Sequence, residues 1–294
     1  MKLNEKNINL IKKNSTLCFE GREAKVYLTN KYALKEFKWY GEGAFNYFVF
    51  KNNNVDLILR ELENIKQTIN DKLIKKYNIQ TPKILDYYIK KGPIVNFISE
   101  DGEEQEEQKV ISYILMKRAS GSPVFTRKEE DMEKFIELDD VDAYNDSFAN
   151  IKHYYYHRMA NMLSNGNEKH FDKFVKDSIN TQNEPSVFLD VWGENIYYDL
   201  KNGYTTLDYR LGINGKSVIN KKGYNVEQLT CKCALDHIGF LNESLTNYGG
   251  KDAAKAVLKP ALDKSINALN KNGISTAKIE REYPNMHRID TLIK

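Results

Sequence analysis

The spacing of apolar positions changes along the chain, and each change marks an element. In the first fifteen residues Leu3, Ile8, Leu10 and Ile11 stand among Lys and Asn, an amphipathic lead-in with no assigned function. From Thr16 the spacing is that of strands: Leu17-Cys18-Phe19-Glu20, Gly21, then Ala24 to Leu28, a polar Thr29-Asn30-Lys31 turn, and Tyr32 to Phe37. This predicts a three-stranded meander with a glycine at its first bend. Ile58, Leu62, Ile65, Ile69 and Leu73 then recur every three or four residues, which predicts a helix over 56–76. At about 100° per residue Glu61 lies nearer that stripe than Glu63, so Glu61 is expected to point inward. Pro82 ends the helix. Segments 83–89 and 110–116 read as strands, and the acidic stretch 99–108 between them reads as a solvated hairpin tip.

Lys117 to Pro123 breaks the pattern with small, hinge-like residues. The expected organisation is a lead-in over 1–15, a small lobe of five strands and one helix over 16–118, and a larger, mainly helical lobe over 119–294. The second lobe opens on a charged segment, 127–146, without a readable period. A helix over 147–163 follows, with Phe148, Ile151, Tyr155, Met159 and Met162 on one stripe. His153 and His157 lie four apart on it, the spacing of a metal pair, but no third ligand accompanies them, so packing or surface roles are expected. A second helix, 171–179, leads to Val187–Gly212. Segments 226–245 and 252–269 have helical spacing, with Pro260 expected to kink or end the latter and Asn272-Gly273 to cap it. The fold class is therefore α+β.

Composition narrows the class. Lys and Arg total 44 against 41 Asp and Glu, a net charge of +3, without the concentrated basic face that nucleic-acid binding requires. No apolar run approaches the roughly 20 residues of a membrane span, and the N-terminal stretch lacks a signal-peptide core, so a cytoplasmic location in the producing cell is expected. Three cysteines, two of them separated by one residue, suit a reducing compartment.

Candidate chemistry concentrates in Val187–Gly212. Asp190, Asn195 and Asp208 flank a hairpin whose strands are Asn195-Ile-Tyr-Tyr and Tyr204-Thr-Thr-Leu and whose turn is Asp199–Gly203. Two carboxylates and an amide at one hairpin are what phosphoryl transfer needs: a carboxylate beside the attacking hydroxyl, and oxygen ligands for magnesium. Upstream, Lys35 stands inside an apolar strand, where an ammonium is costly unless it meets a partner or a ligand.

Taken in order, Gly21, Lys35, Glu61, the Met116–Gly121 hinge, Asp190, Asn195 and Asp208 resemble the eukaryotic-type protein kinase superfamily. Tyr32-Ala-Leu-Lys35 is similar to the strand with the ATP-binding lysine, and Arg60-Glu61 to the partner helix. Asp190-Val-Trp-Gly-Glu-Asn195 is similar to the catalytic loop, and Asp208-Tyr-Arg to the magnesium-binding motif. The resemblance covers roughly residues 17–212. It implies a two-lobed fold, ATP and Mg2+ as cofactors, Asp190 and Lys35 as catalytic residues, and Asn195 and Asp208 as metal ligands. It further implies nucleotide contacts from Gly21, Val26, Lys35, Glu61, Met116, Arg118 and Ala119.

The chain departs from the family at Phe188, where His or Tyr is usual, at Arg210 in place of the motif glycine, in its single loop glycine, and in having no Ala-Pro-Glu. Phe188-Leu-Asp190, the short hairpin and Ile114–Gly121 look like the bacterial effector kinases of the OspG and NleH group. That likeness implies Ser/Thr kinase activity on a protein substrate, a reduced activation segment, secretion from the producing cell into a host cell, and room for a host protein as substrate or activator. Two other readings share the fold: a small-molecule phosphotransferase of the aminoglycoside or choline kinase type, and a pseudokinase acting as a binding module.

Overall fold

A computed structural model describes residues 2–20, 24–37, 55–98, 102–126, 132–133, 135, 148–184, 187–189, 193–207, 209–211, 225–275 and 277–278. The chain divides into two compact units, Met1–Lys76 with Pro82–Arg118, and Tyr77–Thr81 with Ala119–Lys294. The fold is α+β.

In the first unit the elements run α1 (Glu5–Lys13), β1 (Leu17–Glu20), β2 (Ala24–Leu28), β3 (Tyr32–Phe37), α2 (Val55–Gln67), β4 (Ile84–Ile98) and β5 (Glu104–Lys117). The strands form one antiparallel sheet in the order β1-β2-β3-β5-β4. Because side chains alternate across a strand, the register sorts the sheet into two faces. Tyr27, Leu34, Leu115 and Asp86 form a row on one face, and Val26, Lys35, Ile114 and Tyr87 form the next row on the other.

The first face is covered by α1. Leu3, Ile8 and Ile11 pack with Leu34, Tyr113 and Leu115 in one buried cluster. The helix begins where Asn4 Oδ1 accepts from the Asn7 N–H at 2.9 Å. Its entry is pinned by Leu3 N–H donating to Asp86 Oδ2 at 2.6 Å. Lys12 Nζ lies 2.8 Å from Glu36 and 5.1 Å from each of the Tyr27 and Tyr113 ring centroids. Burial pushes the Glu36 carboxyl up, but the Lys12 hydrogen bond and charge outweigh it and hold the pKa below the ordinary value. The amphipathic lead-in is thus an integral layer of this unit.

The second face receives α2, through Ile58, Leu62 and Ile65. The helix continues as a π-helical stretch, Thr68–Lys76, rather than as regular α-helix. Buried Asn70 fixes that stretch to β4, donating to the Ile84 carbonyl at 2.7 Å and accepting from the Ile84 N–H at 3.0 Å.

The acidic run is not simply a hairpin tip. Glu104–Gln108 belongs to β5, where its backbone pairs with Ile94–Ile98. Strand pairing uses backbone groups that every residue carries, and Glu104 and Glu106 keep their side chains exposed to water, so charge does not prevent it.

The second unit contains β6 (Ser122–Pro123), α3 (Phe148–Ser164), α4 (Glu168–Gln182), β7 (Val187–Leu189), β8 (Ile196–Asp199), β9 (Gly203–Thr206), β10 (Tyr209–Leu211), α5 (Val226–Gly249) and α6 (Lys251–Lys271). Strands β6, β8 and β9 form one small sheet, and β7 pairs with β10. Helix α6 continues through Pro260. Pro260 is exposed while Leu258, Ala261 and Leu262 are buried, and that packing offsets the roughly 3 kcal/mol cost of an interior proline. Among the described residues no disulfide forms, and no helix is long and apolar enough to cross a membrane.

Candidate functional site

The β8–β9 hairpin stands where composition put it, and each part of it has a local cause. At the tip, Asp199 Oδ1 accepts from the N–H groups of Lys201 and Asn202 at 2.9 and 2.8 Å, closing the turn. Gly203 completes it at φ +79°, and a Cβ there would stand 2.8 Å from His170 Cγ. The strands are held from behind by an aromatic core in which Tyr204 stacks on Phe174 at 4.3 Å between centroids and meets Tyr198 at 4.8 Å. Fully buried His237 completes the core, with Nδ1–H donating to the Cys233 carbonyl at 3.2 Å and Nε2 accepting from the Tyr204 hydroxyl at 3.0 Å. This tautomer is inferred from the two partners. Burial drives the His237 pKa down to about 4.

A strap, Tyr77–Thr81, lies along the same hairpin. The Thr206 N–H donates to the Gln80 carbonyl at 3.2 Å, and Thr81 Oγ1 donates to the Thr206 carbonyl at 2.8 Å. The Gln80 N–H in turn donates to Asp177 Oδ2 at 3.0 Å, and Lys173 bonds the other carboxylate oxygen. Burial raises the Asp177 pKa despite both partners. Sequence reading took Asn78–Pro82 only as a helix stop; the signal available was its run of polar, hydrogen-bonding side chains.

A short 3-10 turn, Gly193–Asn195, leads into β8, and the Asn195 carbonyl accepts from the Leu207 N–H at 2.8 Å. Leu189 is paired with Tyr209, Phe188 with Arg210 and Val187 with Leu211. Gly21, Asp190 and Asp208 lie outside the described residues. The described positions next to the two aspartates, Leu189 before Asp190 and Tyr209 after Asp208, are cross-strand partners.

In the first unit Lys35 is half-buried and shares its face of the sheet with Val26, its partner on β2, and Ile114, its partner on β5. Lys35 Nζ lies 5.2 Å from the Phe37 ring centroid. Ala33 and Met116 are paired one position along that face, so Val26, Ala33, Lys35 and Met116 form one patch. Ala33 was not among the sequence candidates, although its offset of two from Lys35 placed it on the same face.

Lys35 and Glu61 form no ion pair. Glu61 is half-buried on α2, and the carboxylate tied to the sheet is Glu63, which accepts from the Tyr87 hydroxyl at 2.9 Å and from Gln67 at 3.1 Å. The Tyr87 hydrogen bond, followed by that from Gln67, holds the Glu63 pKa below its ordinary value. Arg118 turns toward the β2–β3 turn, its guanidinium donating to the Thr29 carbonyl and its N–H to the Lys31 carbonyl, both at 3.1 Å. Ala119 begins the second unit's longer segment.

Chemically, an ammonium on a largely apolar face suits an anion held beside a flat apolar group. The amide of Asn195 supplies a hard oxygen donor of the kind magnesium takes. Among the described residues no three His, Cys, Asp or Glu side chains gather into a metal site.

No protein-family model matches the chain. No curated protein matches it either. Among solved structures it is similar to a co-crystal structure described as WbdD with a kinase inhibitor, at 12% identity and a TM-score of 0.31. The match covers 94% of this chain and 49% of that one, so the chain spans about half the length of that structure.

Proposed function

We propose that this chain is a two-lobed, protein kinase-like phosphotransferase that moves the terminal phosphoryl group of ATP to a Ser or Thr hydroxyl of a protein. The observation that carries the reading is the backbone register at the hairpin base. Leu189, the residue before Asp190, pairs with Tyr209, the residue after Asp208, and the Asn195 carbonyl accepts from Leu207, the residue before Asp208. Within the first unit, Lys35 stands in an apolar strand patch with Val26, Ala33 and Met116, which supports the reading independently.

In this reading Asp190 accepts the proton of the attacking hydroxyl as its oxygen bonds to phosphorus and the bond to the leaving phosphate oxygen breaks. Lys35 holds the phosphates that remain with the nucleotide. Val26, Ala33 and Met116 form the apolar wall for the base, and Arg118 braces the turn beside it. Asn195 and Asp208 would hold magnesium, whose oxygen-only preference their side chains meet. Bound magnesium supplies charge neutralisation at the phosphates. Arg210 opposite Phe188, in place of a motif glycine, suits a shortened activation segment and stimulation by a protein partner.

A nucleotide titration with and without magnesium tests the proposal, followed by transfer of labelled phosphate from ATP to the protein itself or a generic protein substrate. Transfer is expected to vanish in Lys35→Ala and Asp190→Asn with the fold retained. A folded protein that binds no nucleotide overturns it. Transfer to choline or an aminoglycoside alone replaces the protein substrate with a small molecule, and binding without transfer makes the chain a pseudokinase.

A further inference from the structure

At the opposite end of the hairpin from Asn195, roughly 13 Å away at ~3.3 Å per strand residue, the second unit carries a cavity of about 380 Å³. Its wall is one side of α3, where His153, His157 and Asn161 stand on successive turns beside Arg158 and Met162; Leu200, from the β8–β9 turn, forms its rim. That volume lies within the range of small-molecule sites, roughly 300–1,000 Å³.

Its charge has a single sign, beside the neutral polar side chains of Tyr154, Asn161 and Asn165. No carboxylate among the described residues lines it, and Arg158 brings a permanent positive charge. One guanidinium N–H donates to the Phe135 carbonyl at 3.2 Å, which orients a group with five such donors. Asn161 Nδ2 donates to His157 Nδ1 at 3.0 Å, so the proton of a neutral His157 ring sits on Nε2 as a further donor. The buried Nδ1 of His153 has no hydrogen-bond partner among the described residues. Burial, then the nearby His157, holds the His153 pKa below its ordinary value, the opposite of what a bound anion would do. Met162 and half-exposed Leu200 add an apolar strip beside these donors.

We infer that this cavity is a binding site for a small organic anion, its phosphate or carboxylate group held by Arg158 and the two imidazoles and its apolar body resting on Met162 and Leu200. The site is separate from the proposed phosphotransfer centre and does not depend on it.

The test is a titration of the full chain with phenyl phosphate, benzoate and the uncharged benzyl alcohol, followed by NMR of the imidazole C–H signals. Both anions are expected to shift the His153 and His157 signals saturably, the tighter one naming the preferred head group, while benzyl alcohol does not. Arg158→Gln, which keeps a donor for Phe135, weakens anion binding at least about tenfold. Leu200→Asp, at the exposed rim, does the same without lowering Tm. Lys35→Ala leaves the affinity unchanged. Absence of a saturable shift, equal binding of benzyl alcohol, or unchanged affinity in both cavity variants overturns the assignment.

Discussion

The Leu207 N–H donates to the carbonyl of Asn195 at 2.8 Å, closing the hairpin one residue before Asp208. This bond uses the Asn195 backbone carbonyl, so it does not depend on the side chain. Asn195→Ala is therefore expected to keep the hairpin and a nearly unchanged Tm. If the amide holds magnesium, phosphate transfer drops by about a hundredfold, the scale for removing one aligned electrostatic partner. Calorimetry beside a labelled-ATP assay separates the two effects; equal activity in the variant removes Asn195 from the site.

The two glutamates of α2 make a second, sharper comparison. Glu63 accepts from Tyr87, on the Lys35 face of the sheet, whereas Glu61 forms no ion pair with Lys35. Tyr87→Phe is expected to cost about 1 kcal/mol or less, since the bond is partly exposed, and Glu61→Gln is expected to leave stability unchanged. Denaturant unfolding of both variants measures this. A loss in Glu61→Gln that matches or exceeds the loss in Tyr87→Phe would show that Glu61 carries the helix–sheet contact.

Much of the fold was legible because burial writes period into sequence. The meander, α2 and the hairpin each sit on clean alternation or three-to-four spacing, and their outlines match the observed elements. What escaped shares one cause: it depends on hydrogen bonds rather than burial. The π-helical stretch, the strap on Thr206 and the pairing of Glu104–Gln108 with Ile94–Ile98 are built by backbone groups or buried amides such as Asn70, which leave no hydrophobic period. The tie of Glu63 to the sheet depends on a tyrosine hydroxyl in a distant strand, which a helical wheel does not display. Lys35 and Asn195 stand out as candidates because a lysine in an apolar strand and an amide at a strand start are exceptions to the local pattern.

Helix α1 gives a stability prediction that tests the reading of the N-terminal residues as a structural layer. Ile11 is 5% exposed and packs with Leu34 and Tyr113. Ile11→Ala should cost about 2–4 kcal/mol, the range for truncating a buried aliphatic side chain. Ile11 faces a cluster that the exposed Leu10 does not, so Leu10→Ala should stay within about 0.5 kcal/mol. Similar losses at both positions would contradict the packing of α1 on the sheet.

The neutral ring of His237 links Tyr204 to α5. Its folded pKa is about 4 against an ordinary value of 6.5. As pH falls below 6.5 the unfolded chain takes up a proton there while the folded protein does not, so the unfolded state gains and stability declines. The decline grows until the folded pKa is reached and amounts to roughly 3 kcal/mol from this residue. Other groups with lowered pKa values, Glu36 and Asp172 among them, also lose stability on acidification, so the wild-type curve alone does not isolate the histidine. His237→Gln does, since its amide can still accept from Tyr204 and donate to the Cys233 carbonyl but takes up no proton. The variant should be less stable at pH 7, and the gap should shrink by roughly 3 kcal/mol between pH 7 and pH 4. Urea unfolding of both proteins at pH 7, 5.5 and 4 measures the gap. Parallel curves across that range would show that His237 is not buried neutral behind the hairpin.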